Sequence, residues 1–230
     1  MATPDPPWRL SEIASLPRDM FVERLGFLFE DSPWIVAEAW RSRPWRTREQ
    51  LHEALLQVVT VAGEARQVAL IRAHPDLVGR AALAGSLSRE STAEQRAAGL
   101  DPDALSEEDV QRFQEANAAY QARFGFPFVI CARENKRASI LAGFATRLGN
   151  DRAAEIDTAL YEIGRIAWHR LADVVVDDTQ EQRMSDPYQY VVTYGKYAVP
   201  VYRVFATPLE DVVPIPESSF TGRQNNLLAC

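Results

Sequence analysis

The feature that most constrains the fold of this chain is the spacing of apolar residues between Asp151 and Val174. At about 100° per residue they fall on one face of a single helix. Apolar residues recur at three and four through most of the chain before Asp178, whereas β-branched and aromatic residues crowd between prolines after it. The sequence therefore predicts an all-α, multi-helix bundle of about seven or eight helices, followed by a short extended, β-like tail.

Capping residues mark the ends of the other predicted helices. Serine and threonine accept hydrogen bonds from the amides of a first helical turn, glycine ends a helix, and a residue before proline leaves the α region. The predicted starts and ends are Thr47 with Gln50, Ser32 before Pro33, Ser106 with Asp109 to Gly125, Asn135 to Leu148, and His74 before Pro75.

Two parts of the chain are predicted to be extended instead. Phe126–Ile130 is an apolar run that follows a glycine and contains a proline, which suits a buried extended segment. Strand-forming residues also surround Gly195–Lys196; they are Tyr190, Val192, Tyr194, Val199, Val201 and Val204. We expect a helical domain over 1–178, a linker over 179–187 and a separate C-terminal segment over 188–230.

Composition narrows the class of protein. The 230 residues are 47% hydrophobic and 25% charged, which is ordinary for one generous globular domain. A formal net charge of −7 argues against a nucleic-acid partner, since such proteins carry a clustered positive excess. No apolar run approaches a membrane span, and the polar, proline-rich start lacks a signal-peptide pattern. We expect a cytoplasmic protein without a membrane partner.

Neither a disulfide framework nor a metal site is predicted. Cys131 and Cys230 lie far apart and form no Cys-x-x-Cys pattern. No histidine or carboxylate spacing typical of metal ligands occurs, and no glycine-rich nucleotide loop or nucleophile elbow is present. Any chemistry must therefore use groups such as His74, Glu94 and Arg170.

Of the three histidines, His74 is the candidate for chemistry. Pro75 fixes the direction of the chain after it, so the imidazole hangs at a helix end and not along a helix side. The structural alternative is a histidine that caps the helix or satisfies the core. His52 and His169 are expected to be solvated.

A second candidate is the cluster Ser91, Glu94 and Gln95, at positions i, i+3 and i+4 of a predicted helix. That spacing places a hydroxyl, a carboxylate and an amide on one face, which suits a small polar heterocycle. Ser-x-x-Glu is also a capping box with no function beyond starting a helix. The motif alone leaves both interpretations open.

The third candidate is Arg170, at the edge of the apolar face of the last helix and about 20° from Ile163. Arg165 falls on the opposite side. A guanidinium drawn inward keeps its charge, so it needs a buried carboxylate or a bound anionic ligand. A structural salt bridge, or a side chain that reaches back to solvent, would satisfy the same pattern.

Four ordered stretches resemble the 2-oxo-4-hydroxy-4-carboxy-5-ureidoimidazoline (OHCU) decarboxylases. They are Leu70–Leu77, Ser91–Gln95, Phe124–Ile130 and Ile166–Leu171, and Ser32–Trp34 and Arg43–Trp45 are similar as well. The resemblance spans residues 10–176. It implies an all-helical fold, a homodimer, a substrate derived from urate, no metal and no organic cofactor, and decarboxylation to (S)-allantoin in purine catabolism.

The resemblance also implies site residues. His74, Glu94 and Arg170 correspond to the catalytic residues of the family. The substrate-binding positions are Pro75, Ser91, Thr92, Ala93, Glu94, Gln95, Phe126, Pro127, Phe128, Val129 and Ile130. We expect His74 to donate a proton, Arg170 to pair with a substrate anion, and Ser91, Glu94 and Gln95 to hold the ureido and ring nitrogens.

The tail resembles the start of a urate oxidase. The matching stretches are Tyr194–Lys196, Tyr202–Val204 and Ile215–Asn225, and Lys196 corresponds to a lysine in the proton relay of that family. Roughly forty residues are too few to build such a core, so we expect no oxidase activity. The resemblance suggests a bifunctional fusion and an association with urate oxidase. A non-catalytic helical module that supports a urate oxidase is the alternative to an enzyme.

Overall fold

The computed structural model describes residues 7–179, 190–194 and 197–201. The chain divides into two compact units, Met1–Asp178 and Thr179–Cys230. Helices dominate residues 7–179; they are α1 (Leu10–Ser15), α2 (Arg18–Leu25), α3 (Pro33–Ala39), α4 (Arg48–Val61), α5 (Glu64–Ala73), α6 (Arg80–Leu83), α7 (Arg89–Ala97), α8 (Glu107–Phe124), α9 (Arg137–Arg147) and α10 (Arg152–Val174). Short 3-10 turns occur at Gly26–Leu28, Trp40–Ser42, Pro102–Ala104 and Ala132–Glu134.

Two short strands tie the start of the first unit to its end. β1 (Trp8–Arg9) pairs in parallel with β2 (Val175–Val176), with Trp8 opposite Val175. Next to this pair, the amide and hydroxyl of Ser11 donate to the Asp178 carboxylate at 3.0 and 2.6 Å. These bonds fix the end of α10 against the N-terminal helices.

The second unit contains one antiparallel strand pair among its described residues. β3 (Tyr190–Tyr194) lies beside β4 (Tyr197–Val201), with Tyr190 opposite Val201. The predicted strand segments on either side of Gly195–Lys196 are therefore confirmed. Val204 lies outside the described residues, as do Lys196, 180–189 of the expected linker region, and the stretches from Tyr202 onward that resemble urate oxidase.

The predicted all-α fold and most of its helix ends are confirmed, although the helix expected from Asn135 begins at Arg137. Ser32 precedes α3 with Pro33 at the first helical position, and Gly125 ends α8 in the left-handed conformation with φ 76°. The side chains of Thr47, Ser88, Ser106 and Asp151 accept hydrogen bonds from first-turn amides of α4, α7, α8 and α10. The predicted helix count was too low, because several short helices lack the length that makes periodicity visible.

The bend between α4 and α5 sets the direction in which α5 approaches the core. Gly63 joins the two helices with φ 75°, a conformation that a residue with a Cβ rarely adopts. The helices meet at 117°, and only this bent pair has the combined length and apolar composition of a membrane span among the described helices, none of which has it alone. The bend leaves the C-terminal end of α5, at His74, inside the protein.

Aromatic rings fill the space between α8, α9 and the Phe126–Ile130 segment. Tyr120 lies edge-on to Phe128 and Phe144, whose rings stack at 3.9 Å. Phe126 and Phe128 are 2% and 1% exposed. Burial of the segment is therefore confirmed: its rings enter the core, and its backbone belongs to neither a helix nor a strand.

A buried ion cluster is hydrogen-bonded to the Phe126–Ile130 segment. Glu155 is fully buried and accepts hydrogen bonds from Arg147 at 2.7 Å and from the Tyr120 hydroxyl. Burial, together with the hydrogen bond to Glu155, raises the pKa of Tyr120, so the phenol keeps its proton. Arg147 also donates to the Val129 carbonyl at 2.7 Å, which links the cluster to the Phe126–Ile130 segment.

Removing the arginine of this cluster should destabilise the fold strongly. Arg147→Met leaves the carboxylate of Glu155 buried without its cation, and breaking such a pair costs about 3–5 kcal/mol. The double variant Arg147→Met/Glu155→Leu should recover most of that loss, because it removes both charges. Urea unfolding followed by circular dichroism measures both. A single variant within about 1 kcal/mol of wild type, or a double variant as unstable as the single, would contradict this account.

Candidate active site

His74 follows α5 directly and points into the protein. Its amide donates to the Ile71 carbonyl at 3.2 Å, and its ring Nδ1 lies 3.0 Å from the Leu70 carbonyl oxygen. A carbonyl can only accept, so Nδ1 carries the ring proton and Nε2 presents a lone pair. Nε2 is buried and has no hydrogen-bond partner among the residues that the structure describes.

The surroundings of His74 keep its ring neutral. The residue is only 7% exposed, and burial lowers its pKa to about 4 in spite of the hydrogen bond to Leu70. At neutral pH the ring is therefore a proton acceptor at Nε2. A donor role requires that His74 first receive a proton.

Arg170 is the most heavily bonded side chain of the site. It is 2% exposed, and its Nε and Nη2 donate to the two carboxylate oxygens of Glu94 at 2.8 and 2.9 Å. Nη2 also donates to Glu30 at 2.8 Å, and Nη1 to the Phe27 carbonyl at 3.0 Å. The inward turn of Arg170 is thus satisfied by protein carboxylates, which is the salt-bridge alternative that the sequence left open.

The opposite charges in this cluster stabilise one another. Burial opposes the charge on Arg170, but the hydrogen bonds and charges of Glu94 and Glu30 outweigh it and raise the arginine pKa. Burial likewise acts against the charge of Glu30, yet the Ser91 hydroxyl and Arg170 hold its pKa below the ordinary value. One guanidinium therefore faces two carboxylates, so a further anion could pair with Arg170 only if one of its present bonds shifted.

The Ser91–Gln95 stretch lies in α7 as predicted, but its members face different ways. Ser91 donates to Glu30 at 2.7 Å, and Gln95 accepts from the Val78 amide at 3.1 Å. Thr92 is bonded to the Ser88 carbonyl, and Ala93 is exposed. Ser88, not Ser91, caps the helix. The side chains of Ser91 and Glu94 are therefore not used for capping.

A small cavity joins these groups. Its volume is about 30 Å³, close to that of one water molecule in the liquid. It is lined by His74, Pro75, Leu77, Ser91, Glu94, Gln95, Phe128, Val129, Ile130, Ala132, Ile166 and Arg170. Thr92, Ala93, Phe126 and Pro127 are predicted substrate-binding positions that lie outside this lining.

The sequence missed several residues of the site. Glu30 is bonded to both Ser91 and Arg170, yet it lies 140 positions from Arg170 and no local pattern marks it. Leu77, Ala132 and Ile166 complete the cavity wall. Leu77 and Ile166 had a signal, because they belong to the Leu70–Leu77 and Ile166–Leu171 stretches.

The two other histidines are both engaged. His52 is half-buried, with Nε2 2.8 Å from the Gly164 carbonyl and its ring edge-on to Trp168, so the expectation that it is solvated was wrong. Packing of α4 against α10 covers it. His169 is partly exposed and lies 2.6 Å from Glu134.

Within residues 7–179, three side chains of the kinds that bind metal ions lie close together at one place. Cys131, Glu134 and His169 bring one potential ligand atom each within 4.8 Å of one another. Glu134 is bound there by Arg165 and His169, and burial raises the pKa of Cys131 to about 11. The arrangement is accounted for as an ion-pair network that joins the 3-10 turn at Ala132–Glu134 to α10.

A helical domain that encloses a polar pocket, with a buried arginine–carboxylate pair and a neutral histidine in its lining, is typical of enzymes that act on small molecules. The OHCU decarboxylase family profile matches residues 14–172. A 2-oxo-4-hydroxy-4-carboxy-5-ureidoimidazoline decarboxylase of Amia calva is 39% identical over 166 residues, which cover 72% of this chain and 94% of that protein. The chain belongs to the OHCU decarboxylase family.

A longer relative covers more of the chain. The uric acid degradation bifunctional protein PucL of Bacillus subtilis (strain 168) is 33% identical over 219 residues, or 95% of this chain. The chain spans 42% of the length of that protein. The match therefore extends past the helical unit, into the part that follows Asp178.

Solved structures agree on the fold. A crystal structure of (S)-allantoin synthase aligns with a TM-score of 0.55 and 24% identity, over 73% of this chain and 54% of that chain. An OHCU decarboxylase crystallised in the presence of (S)-allantoin gives a TM-score of 0.53 at 21% identity, over 66% and 96%. These likenesses concern the fold alone.

The neutral state of His74 should make stability depend on pH. Its folded pKa of about 4 lies below the value of about 6.5 for an exposed histidine, so the unfolded chain binds the proton more tightly. The histidine's contribution is complete above pH ~6.5 and is lost as pH falls toward 4, by roughly 3 kcal/mol. Urea unfolding of wild type and His74→Leu across this range tests it. Parallel pH curves for the two proteins would contradict the assignment.

Proposed function

We propose that this chain decarboxylates OHCU to (S)-allantoin in the degradation of urate. The observation that carries the proposal is one cavity lined by His74, whose Nε2 has no partner among the described residues, and by the hydrogen-bonded Arg170–Glu94 pair. Family membership supports the same reaction, since the relatives are named for it.

The chemistry asks little of a cofactor. Loss of carbon dioxide leaves an electron pair on the ring carbon, and the adjacent C=N accepts it, so the substrate is its own electron sink. The protein must orient the carboxylate out of the ring plane, exclude water and move protons. We propose that these tasks fall to side chains alone, without metal or organic cofactor.

His74 is proposed as the group that moves the proton. After carbon dioxide leaves, the product forms when the hydroxyl loses its proton and the neighbouring ring carbon gains one; solvent supplies the proton for the ring nitrogen. Neutral His74 accepts the hydroxyl proton at Nε2 and delivers a proton to one face of that carbon. The donor role predicted from the family thus becomes the second half of a relay.

The other polar groups are proposed to bind and orient. Glu94 keeps a fixed direction because Arg170 holds both of its oxygens, and it accepts from ureido or ring N–H groups. Gln95 uses its acceptor oxygen on the Val78 amide, which leaves its amide nitrogen to donate. Arg170 is proposed to reach the substrate carboxylate through a shift of its bonds to Glu30 and Phe27. Ser91 and the backbone of 126–130 complete the set.

Substrate entry requires the cavity to expand. Its volume of about 30 Å³ is far smaller than a ureido-substituted ring. We propose that the walls around Leu77 and Ile130 part on binding and close over the ligand, which excludes water from the reaction.

The location, oligomeric state and domain organisation of the chain are also proposals. The chain is proposed to act in the cytoplasm as a homodimer, with a helical domain over 1–178, a linker over 179–187 and a urate-oxidase-like segment over 188–230. The likeness to a bifunctional uric acid degradation protein supports an association with urate oxidase.

The direct test follows freshly generated OHCU by ultraviolet absorbance and circular dichroism, with and without the chain. A faster decay that yields (S)-allantoin supports the enzyme. A decay at the spontaneous rate would instead favour a non-catalytic module that supports a urate oxidase.

Replacing the proton carrier should be severe. His74→Ala should lower kcat by about 10²–10⁴, the contribution of a positioned general acid–base group, while His52→Gln should stay near wild type. His52 is the control because its ring is also hydrogen-bonded to a backbone carbonyl, but that carbonyl belongs to Gly164 of α10 and His52 does not line the cavity. Unchanged stereospecific formation of (S)-allantoin by His74→Ala would refute the role.

A further inference from the structure

Two side-chain amides bind both polar groups of one peptide bond beside the cavity. The Leu77 carbonyl accepts from Asn117 Nδ2 at 2.8 Å, and the Val78 N–H of the same peptide donates to Gln95 Oε1 at 3.1 Å. Both hydrogen bonds are buried. Asn117 belongs to α8 and Gln95 to α7, so the peptide plane is fixed between two helices.

The turn that contains this peptide is strained. Val78 has φ 52°, which is unfavourable for a β-branched residue. At Gly79, a Cβ would lie 2.5 Å from the Cβ of Asp76, so the turn closes only with glycine. Such a backbone persists only where its surroundings impose it.

The buried position of Asn117 costs free energy, because one of its polar atoms is left unpaired. It is 6% exposed, and its Oδ1 is buried without a hydrogen-bond partner among the described residues. One helical turn further along α8, Gln121 donates to both oxygens of the Asp76 carboxylate at 2.7 and 2.9 Å. Two side chains of α8 therefore hold consecutive residues of the turn.

We propose that Asn117 is a positioning residue of the decarboxylase, which fixes the Leu77–Val78 peptide and through it the direction of His74. This inference rests on the proposed function. Asn117 lies outside the cavity lining and acts only through the turn.

The route from Asn117 to His74 is short and stiff. Pro75 follows His74 and has a fixed φ, so the chain between His74 and Leu77 has few free torsions. The three residues after Pro75 are anchored at the Asp76 carboxylate, the Leu77 carbonyl and the Val78 amide. Release of the Leu77 carbonyl lets the strained turn relax, which moves both the imidazole and the Leu77 wall of the cavity.

The test compares Asn117→Leu with Phe113→Leu. Leucine is close to asparagine in size, and it removes the unpaired Oδ1 together with the donor to Leu77, so the melting temperature should stay within ~4 °C of wild type. Phe113→Leu is the control, because it loosens the core on the same helix, where the ring lies edge-on to Phe144, and removes no hydrogen bond to the turn. We expect kcat to fall at least tenfold in Asn117→Leu with KM changed less than threefold, and both to stay within threefold in Phe113→Leu.

A second readout does not depend on activity. The Nδ1-bound proton of His74, observed by NMR, reports its hydrogen bond to Leu70; we expect its signal to shift or broaden in Asn117→Leu and to stay unchanged in Phe113→Leu. Retention of the signal and of kcat in Asn117→Leu would overturn the inference, and so would equal losses in both variants. If wild type itself fails to accelerate OHCU decay, the proposed function fails, while the NMR comparison still decides the positioning of His74.

Discussion

The site depends on the burial of one guanidinium. Arg170 cannot give up its charge at any ordinary pH, so α10 can pack its apolar face only where carboxylates meet that charge. Glu94 from α7 and Glu30 from the loop after α2 supply them, and the Ser91 hydroxyl donates to Glu30 and accepts from Arg170. α7, α10 and this loop are thereby held together by bonds that none of them could form alone.

Beside this charged cluster lies His74, whose ring is neutral and only partly hydrogen-bonded. His74 is buried with one ring nitrogen satisfied by the Leu70 carbonyl and the other without a partner. An unsatisfied buried acceptor costs free energy that a substrate proton can return. The cavity is therefore lined both by Arg170, whose charge is fully paired, and by His74, whose buried Nε2 is unpaired.

The sequence predicted the helical class and most helix ends, because periodicity and capping are local. It also singled out His74 before its proline and Arg170 at the edge of the apolar face. It missed Glu30 and Asn117, which meet the site across 140 and 40 positions, and it placed His52 in solvent although α10 covers it. Contacts of this kind have no local signature.

By itself the sequence singled out His74, Glu94 and Arg170 as candidates, from residue type, a 3.6-residue period and the proline after His74. The tertiary structure alone decided which partners and which charge states those residues have. It set the partner of Arg170, the protonation of His74 and the commitment of Gln95 to the backbone. Each of these depends on burial and on hydrogen bonds between distant segments, which exist only once the helices have packed.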